Sequence, residues 1–395
     1  MRGHLDFQGH MFVYFQIENK VPSEHPLRFV KALADLLLAR LSPQFDKLFS
    51  TSGRPSVPPE RLLKASLLIA LYSVRSDRMF CEMLEYNLLF RWFLDMGIEE
   101  EVFDPSSFSR LRSRLVDTDL ARRFFDSIVQ SAQEQDLLSS EHFTVDGTLI
   151  DAWASHKSFQ PKKPAEESSS APGQGPDVPV ETESELAPTS AANHDGNEEK
   201  KLTVELQKDE MVDFKGQKRC NDTHQSTTDA DARLMRKGPG KEAKLCYGAH
   251  AFMENRNGML IDIQVAFATT TETQMAKALM ERAVELGFDP QSLGADKGYH
   301  TKDFVKYLRD NDTAPHIAMI SKRKTPGLDG RTTRHDGYKV SQRIRKRVEE
   351  IFGWMKAFGG LRKSRFIGLA KNQFNAYIVG AAFNLVRLSN LALAA

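Results

Sequence analysis

Three acidic residues stand out by their settings: Asp146 in FTVDGTLID, Asp296 in LGADKGYH and Glu349 in RIRKRVEEIFGWMK. The first two lie inside or at the end of short strand-like runs, and the third lies on a strongly basic helical segment. Widely spaced carboxylates that a fold can gather are what a Mg²⁺-dependent phosphoryl-transfer site requires. Mg²⁺ takes hard oxygen ligands, and a pair of ions can clamp the attacking and leaving oxygens of an in-line displacement. Taken singly, each residue has a plainer reading. Asp146 can serve the strand-to-turn step at Asp146-Gly147, and Asp296 can be the turn residue of Asp-Lys-Gly. Yet both end strands in an α/β pattern, where ligand-binding residues emerge toward the crevice. Glu349 has a neighbour of equal chemistry in Glu350, on the opposite flank of the apolar stripe Ile344, Val348, Ile351 and Met355, so periodicity does not choose between them. Arg345 and Lys356 lie four residues before and seven after Glu349. That flank can place a metal ligand between two phosphate contacts, or form only an i,i+4 salt bridge.

The charge distribution points to the polymer that carries the phosphate. Net charge is only +1, but fourteen Lys and Arg residues lie between Lys322 and Arg365, opposed by four carboxylates. Such a local excess is an electrostatic footprint for nucleic acid. The three cysteines, Cys81, Cys220 and Cys246, are too scattered for a disulfide framework, and together with the lack of a signal-peptide-like start they predict a cytoplasmic protein. Histidines show no zinc spacing, and no Gly-rich phosphate loop or nucleophile elbow is present. The apolar stretch FNAYIVGAAFNLVRLSNLALAA is broken by Asn384, Arg387 and Asn390 and predicts an amphipathic or buried C-terminal helix, not a membrane span.

These residues need a scaffold. A strand-like run, HMFVYFQI, opens the chain. From Pro26 to Leu138 apolar residues recur at helical spacing, with starts marked by Pro58-Pro59-Glu60 and by Asp104-Pro105. Residues 1–138 are therefore expected to form a helical N-terminal domain. Its 105–115 helix carries Arg110, Arg112 and Arg114, which suits the reading element of a helix-turn-helix-like unit or an ordinary surface helix. Strand-like alternation returns at 142–154. Residues 157–245 are polar, and 157–200 are rich in proline, serine and carboxylates, so this insertion is expected to be largely disordered, with 201–245 irregular. Order resumes with a hairpin turning at Asn257-Gly258, then a capped helix, a short strand ending at Asp296, a helix, a strand and the helix of Glu349. Residues 139–156 and 246–369 are expected to form the α/β domain that gathers the carboxylates, with 370–395 a C-terminal helix.

FTVDGT, GADKGY and the spacing of Arg345, Glu349 and Lys356 together resemble the DDE transposases of bacterial insertion sequences, in the group containing insertion sequences four and five. The helical half resembles that family's DNA-binding domain in SVPPERLLKASLLIALYSVRSDR and DPSSFSRLRSRL. The family's third motif begins with tyrosine where this chain has Gln342, a departure that touches a DNA-backbone contact and not the glutamate. The resemblance implies an α/β, ribonuclease H-like catalytic domain with a mixed five-stranded sheet, preceded by an all-helical DNA-binding domain. It implies that Asp146, Asp296 and Glu349 hold two Mg²⁺ ions, with Mn²⁺ able to substitute, and that Arg345, Lys356 and Tyr299 contact DNA. The activity implied is cleavage at the terminal inverted repeats and joining of the freed 3′-hydroxyl to target DNA, by a homodimer on DNA in the bacterial nucleoid. A nuclease that cuts without joining, or an inactive DNA-binding descendant, are the alternatives.

Overall fold

The structure is a computed structural model that describes residues 15–47, 56–162, 207–212, 216–238, 240–320 and 325–394. Most of the strand-like run at the start, the centre of the insertion expected to be disordered and the basic residues at 322–324 lie outside the described residues.

Among the described residues a 3₁₀ turn (Ile17–Lys20) is followed by six α-helices: α1 (Leu27–Asp46), α2 (Pro59–Leu71), α3 (Asp77–Tyr86), α4 (Leu88–Phe93), α5 (Pro105–Val116) and α6 (Leu120–Glu134). Their starts are set by the residues that the sequence marks. Pro59 opens α2, and the Asp104 carboxylate accepts a hydrogen bond from the Ser107 amide at 2.9 Å with Pro105 at the first helical position.

The remaining elements build one mixed sheet and its cover. Strand β1 (Phe143–Asp151) is followed by four short insertion strands, β2 (Phe159–Pro161), β3 (Glu210–Val212), β4 (Lys218–Cys220) and β5 (His224–Ser226). Then come β6 (Arg233–Arg236), β7 (Ala243–Glu254), β8 (Met259–Phe267), α7 (Glu272–Glu285), β9 (Ser292–Ala295), α8 (Lys302–Asp310) and β10 (Ala314–Ile317). Four helices close the chain: α9 (Gly330–Thr333), α10 (Asp336–Ile344), α11 (Arg347–Ala357) and α12 (Leu369–Ala394). The sheet runs β10-β9-β1-β7, with β8 and β6 sharing the far side of β7. Strand β7 runs antiparallel to both β1 and β8, whereas β9 and β10 run parallel to β1. This is the ribonuclease H-like arrangement, extended to six strands by β6 from the insertion. Every β7 residue from Leu245 to Glu254 is buried, so helices cover the sheet on both faces.

Two expectations change. Residues 216–238 are not irregular: β2 pairs with β5, β3 with β4 and β6 with β7. Hydrophobic periodicity misses these strands because they are three or four residues long and held by polar groups. The Asn221 side chain bonds both the amide and carbonyl of Leu234, and buried Asp229 accepts a hydrogen bond from Tyr247 Oη at 2.5 Å. Strand β7 also begins at Ala243, so the sheet claims residues assigned to the insertion.

The C-terminal helix α12 is long and apolar enough to cross a membrane, but it packs on β8, α6 and α2. Its polar interruptions serve that packing. Asn384 donates to the Leu260 carbonyl at 2.7 Å and accepts from the Leu260 amide at 3.0 Å, while Gln373 does the same between the Ile263 carbonyl and the Val265 amide. Among the described residues strand β8 pairs only with β7, and these side-chain amides bond four backbone groups along it.

Candidate active site

Strands β1 and β9 run parallel, with Thr144 opposite Gly294. That pairing ends there, two residues before Asp146 and Asp296, and strand parity puts both aspartates on the face of Thr144 and Gly294. Both carboxylates are anchored by backbone. Asp146 Oδ1 accepts from the Gly147 amide at 2.8 Å, and Asp296 Oδ1 accepts from the Gly298 amide at 2.7 Å, capping the short 3₁₀ turn Lys297–Tyr299.

The third carboxylate arrives on α11. The segment expected as one helix divides at Arg345 and Lys346 into α10 and α11, joined by a tight turn in which the Val348 amide reaches the Arg345 carbonyl at 3.2 Å. Helix α10 lies close against the sheet because Gly294 has no side chain; a Cβ there would stand 3.1 Å from Ser341 Oγ and 3.4 Å from Arg345 Cβ. Helix α11 then buries Val348, Ile351, Phe352 and Met355 and presents Glu349 in its first turn.

Asp146, Asp296, Glu349 and Lys356 line a single cavity of about 580 Å³, and Glu350 is not among its lining residues. A fourth acid, Glu272 at the start of α7, shares it. Its Oε2 and Asp296 Oδ1 lie 2.5 and 3.0 Å from the point where a Cβ on Gly298 would stand, so the two carboxylates converge there. Lys356 Nζ donates to Thr148 Oγ1 at 2.5 Å; burial, then Lys237 and Arg362, push its pKa below the ordinary lysine value. Lys208, Arg236 and Lys237 from the insertion complete the basic wall. His250 also lines the cavity, buried between Gly147 and Gly248, either of whose Cβ would stand 2.9 Å from an imidazole nitrogen. Burial lowers its pKa to about 4, so the ring is neutral at pH 7.

The Asp146 carboxyl is pushed up to about 6, first by burial and then by the charges of Asp296 and Glu272. Partial desolvation followed by Asp296 raises Glu272 in turn. Like charges crowded in this way create demand for a cation. The donor set is entirely carboxylate oxygen, which fits a hard divalent ion. The acids ring the cavity without closing on one point: among the described residues no three His, Cys, Asp or Glu side chains are grouped tightly enough to hold an ion.

The raised Asp146 pKa has a stability consequence. The folded state holds its proton more tightly than the unfolded chain, whose carboxyl titrates near 3.8. Stability is therefore lost as pH climbs through the window between about 4 and 6, and the loss persists above it. In EDTA, Asp146→Asn should stabilise the protein at pH 7.5 by up to about 3 kcal/mol and change little at pH 4. Thermal melts at the two pH values check this; equal shifts at both would exclude the cause given.

Other expected contacts do not assemble here. Tyr299 is fully buried beneath the carboxylates against Phe304, and among the described residues its hydroxyl has no hydrogen-bond partner, so it is not a DNA contact in this conformation. Arg345 sits beside the cavity in the helix break, half-buried, with Nε donating to Gln342 Oε1 at 3.2 Å, and its charge reaches Asp146. Gln342, in the tyrosine position, donates to the His316 carbonyl. On α5, Arg110 and Arg114 are exposed one turn apart. Arg112 is buried, forks onto Asp77 at 2.6 and 2.9 Å and stacks on Phe108, so it ties α5 to α3 and is unavailable to DNA. The alternation of the three arginines fits a strand's period of two, whereas the helix turns Arg112 inward.

Glu272, His250 and the insertion's cations were not legible as site residues. Glu272 follows the capping residue Thr271 and reads as an ordinary first-turn acid, and His250 is one histidine among many on an apolar strand.

Residues 15–114 match the family described as "Transposase domain (DUF772)", and residues 213–385 match the "Transposase DDE domain". Together with the ribonuclease H-like sheet, these matches place the chain among the DDE transposases, enzymes that act on DNA. No curated protein matches it. A solved structure, titled "Cryo-EM structure of piggyBac transposase synaptic complex with hairpin DNA", is similar at TM-score 0.39 and 10% identity, covering 93% of this chain and 76% of that one. A likeness that distant carries no weight here.

Proposed function

We propose that this transposase cleaves the ends of its own insertion sequence and joins the freed 3′-hydroxyl to target DNA by in-line phosphoryl transfer. Asp146, Asp296 and Glu349 would hold divalent cations, two Mg²⁺ ions or Mn²⁺ in their place. When bound, such ions supply Lewis acidity that activates a hydroxyl and offsets the charge growing on the phosphate. The observation supporting this reading is that the three carboxylates, drawn from β1, the end of β9 and α11, border one cavity with Lys356.

The chain's own groups then have separable tasks. Asp146 and Asp296, each held by one carboxylate oxygen on the amides of Gly147 and Gly298, border the cavity with a second oxygen left for a cation. Lys356, tethered to Thr148, offers its charge to a phosphate, and Arg345 offers a second beside it. Buried neutral His250 and Phe352 exclude bulk water from the inner wall. Arg110 and Arg114, both on the outward side of α5, would contact the phosphates of the terminal repeat, within a helical domain of residues 1–138. Two ends brought together call for two copies of the chain, working at the bacterial nucleoid.

A joining assay tests the reading. A plasmid bearing the DNA that flanks the gene, incubated with the protein and Mg²⁺, should give metal-dependent breaks at the element ends and covalently joined target products. Breaks without joining would leave a nuclease.

A further inference from the structure

Past the end of β1 the chain bends at Trp153, with Ala152 and Ala154 on either side buried, 3% and 8% exposed. Trp153 between them points outward and is 56% exposed, whereas Trp92 is 7% exposed. This exposure is imposed and not a loose end. The Ala152 amide is bonded to the Leu245 carbonyl at 2.8 Å, and Asp151 pairs with the 362–364 segment through the Arg362 carbonyl at 3.1 Å and the Ser364 amide at 2.7 Å. That pairing sets Lys363 over the indole, its ammonium 5.6 Å from the ring centroid. Arg362, next in the chain, lines the catalytic cavity with Lys356 and Thr148. A rigid aromatic face thus stands beside cations that lead into the cavity.

We propose that Trp153 is a stacking platform for an unpaired nucleobase of the DNA strand whose phosphates enter the cavity, with Lys363 and Arg362 holding the flanking phosphates. The inference rests on the DNA-cleaving reading above and adds to it a site for single-stranded character at the mouth. The chemistry is that of single-strand grooves, where a basic track sets the backbone and an aromatic ring takes the base without regard to sequence. A ring left in water by a fixed backbone gains most from a flat apolar partner, and the surrounding cations select a polyanionic one.

The test uses the full chain in EDTA, so that no strand is cut. The probes are fluorescein-labelled short duplexes of the gene's flanking DNA, either blunt or carrying a single-stranded thymidine overhang, and binding is read by anisotropy. Trp153→Ala should weaken binding of the overhang probe by about 10-fold while leaving the blunt duplex within about twofold, and Trp153→Phe should keep most of the overhang affinity. Unchanged overhang affinity in Trp153→Ala overturns the proposal and leaves the DNA reading standing. Equal weakening on both probes overturns it too, since stacking needs an unpaired base. If Trp153→Ala sediments as a smaller species with overhang affinity unchanged, the ring contacts a second copy and not a base. If the parent protein binds neither probe, both readings fall.

Discussion

Asp296→Ala should lower metal-dependent strand cleavage by at least about 10³-fold while leaving affinity for the element ends within about twofold. The expectation follows from position. Asp296 directly follows β9, beside the parallel strand that carries Asp146, and shares a cavity with Asp146 and with Glu349 on α11. Its Oδ1 also accepts the Gly298 amide at 2.7 Å, so alanine removes a cap worth about 1 kcal/mol along with the charge. Asp296→Asn separates the two roles, because asparagine caps as well as aspartate but binds a hard cation poorly. Loss of cleavage in both variants assigns the residue to chemistry. Cleavage retained by Asp296→Asn would reduce it to a turn residue.

The second large effect distinguishes adjacent glutamates. Glu349→Gln should lose cleavage by a similar factor, about 10³-fold, and Glu350→Gln should keep it within about threefold. Both side chains are exposed in the first turn of α11, so neither substitution should shift stability by more than about 0.5 kcal/mol. Only Glu349 lines the cavity. Loss confined to Glu350→Gln would mean that α11 is rotated by one residue from the orientation described.

Asp296 was legible because it directly follows the short strand β9, whereas Asp146, expected at a strand end, lies in the middle of the nine-residue β1, because pairing with β7 carries that strand on to Asp151. The helix of Glu349 was legible, but its division at Arg345–Lys346 was not: both residues keep helical angles, and the break comes from fitting α10 over Gly294 while α11 turns toward β1. The arginines of α5 show the opposite limit. Spacing in sequence gave three equivalent cations, and only the partner Asp77, on α3, separates the buried one from the exposed pair. Tyr299 misled for a related reason, since a motif residue beside a candidate metal-binding aspartate can equally pack beneath it. The folded part of the insertion was invisible to hydrophobic patterning because Asn221, Ser226 and Asp229 hold it by hydrogen bonds.

Helix α12 gives its side chains to β8 on one hand and to α2 and α6 on the other. The helical half and the sheet therefore share one interior and cannot swing on a hinge between them. A mismatch at the element end then has no domain rotation through which to silence the carboxylates. A change at one end of the molecule can reach the other only through the packing of α12 between β8 and the helices α2 and α6.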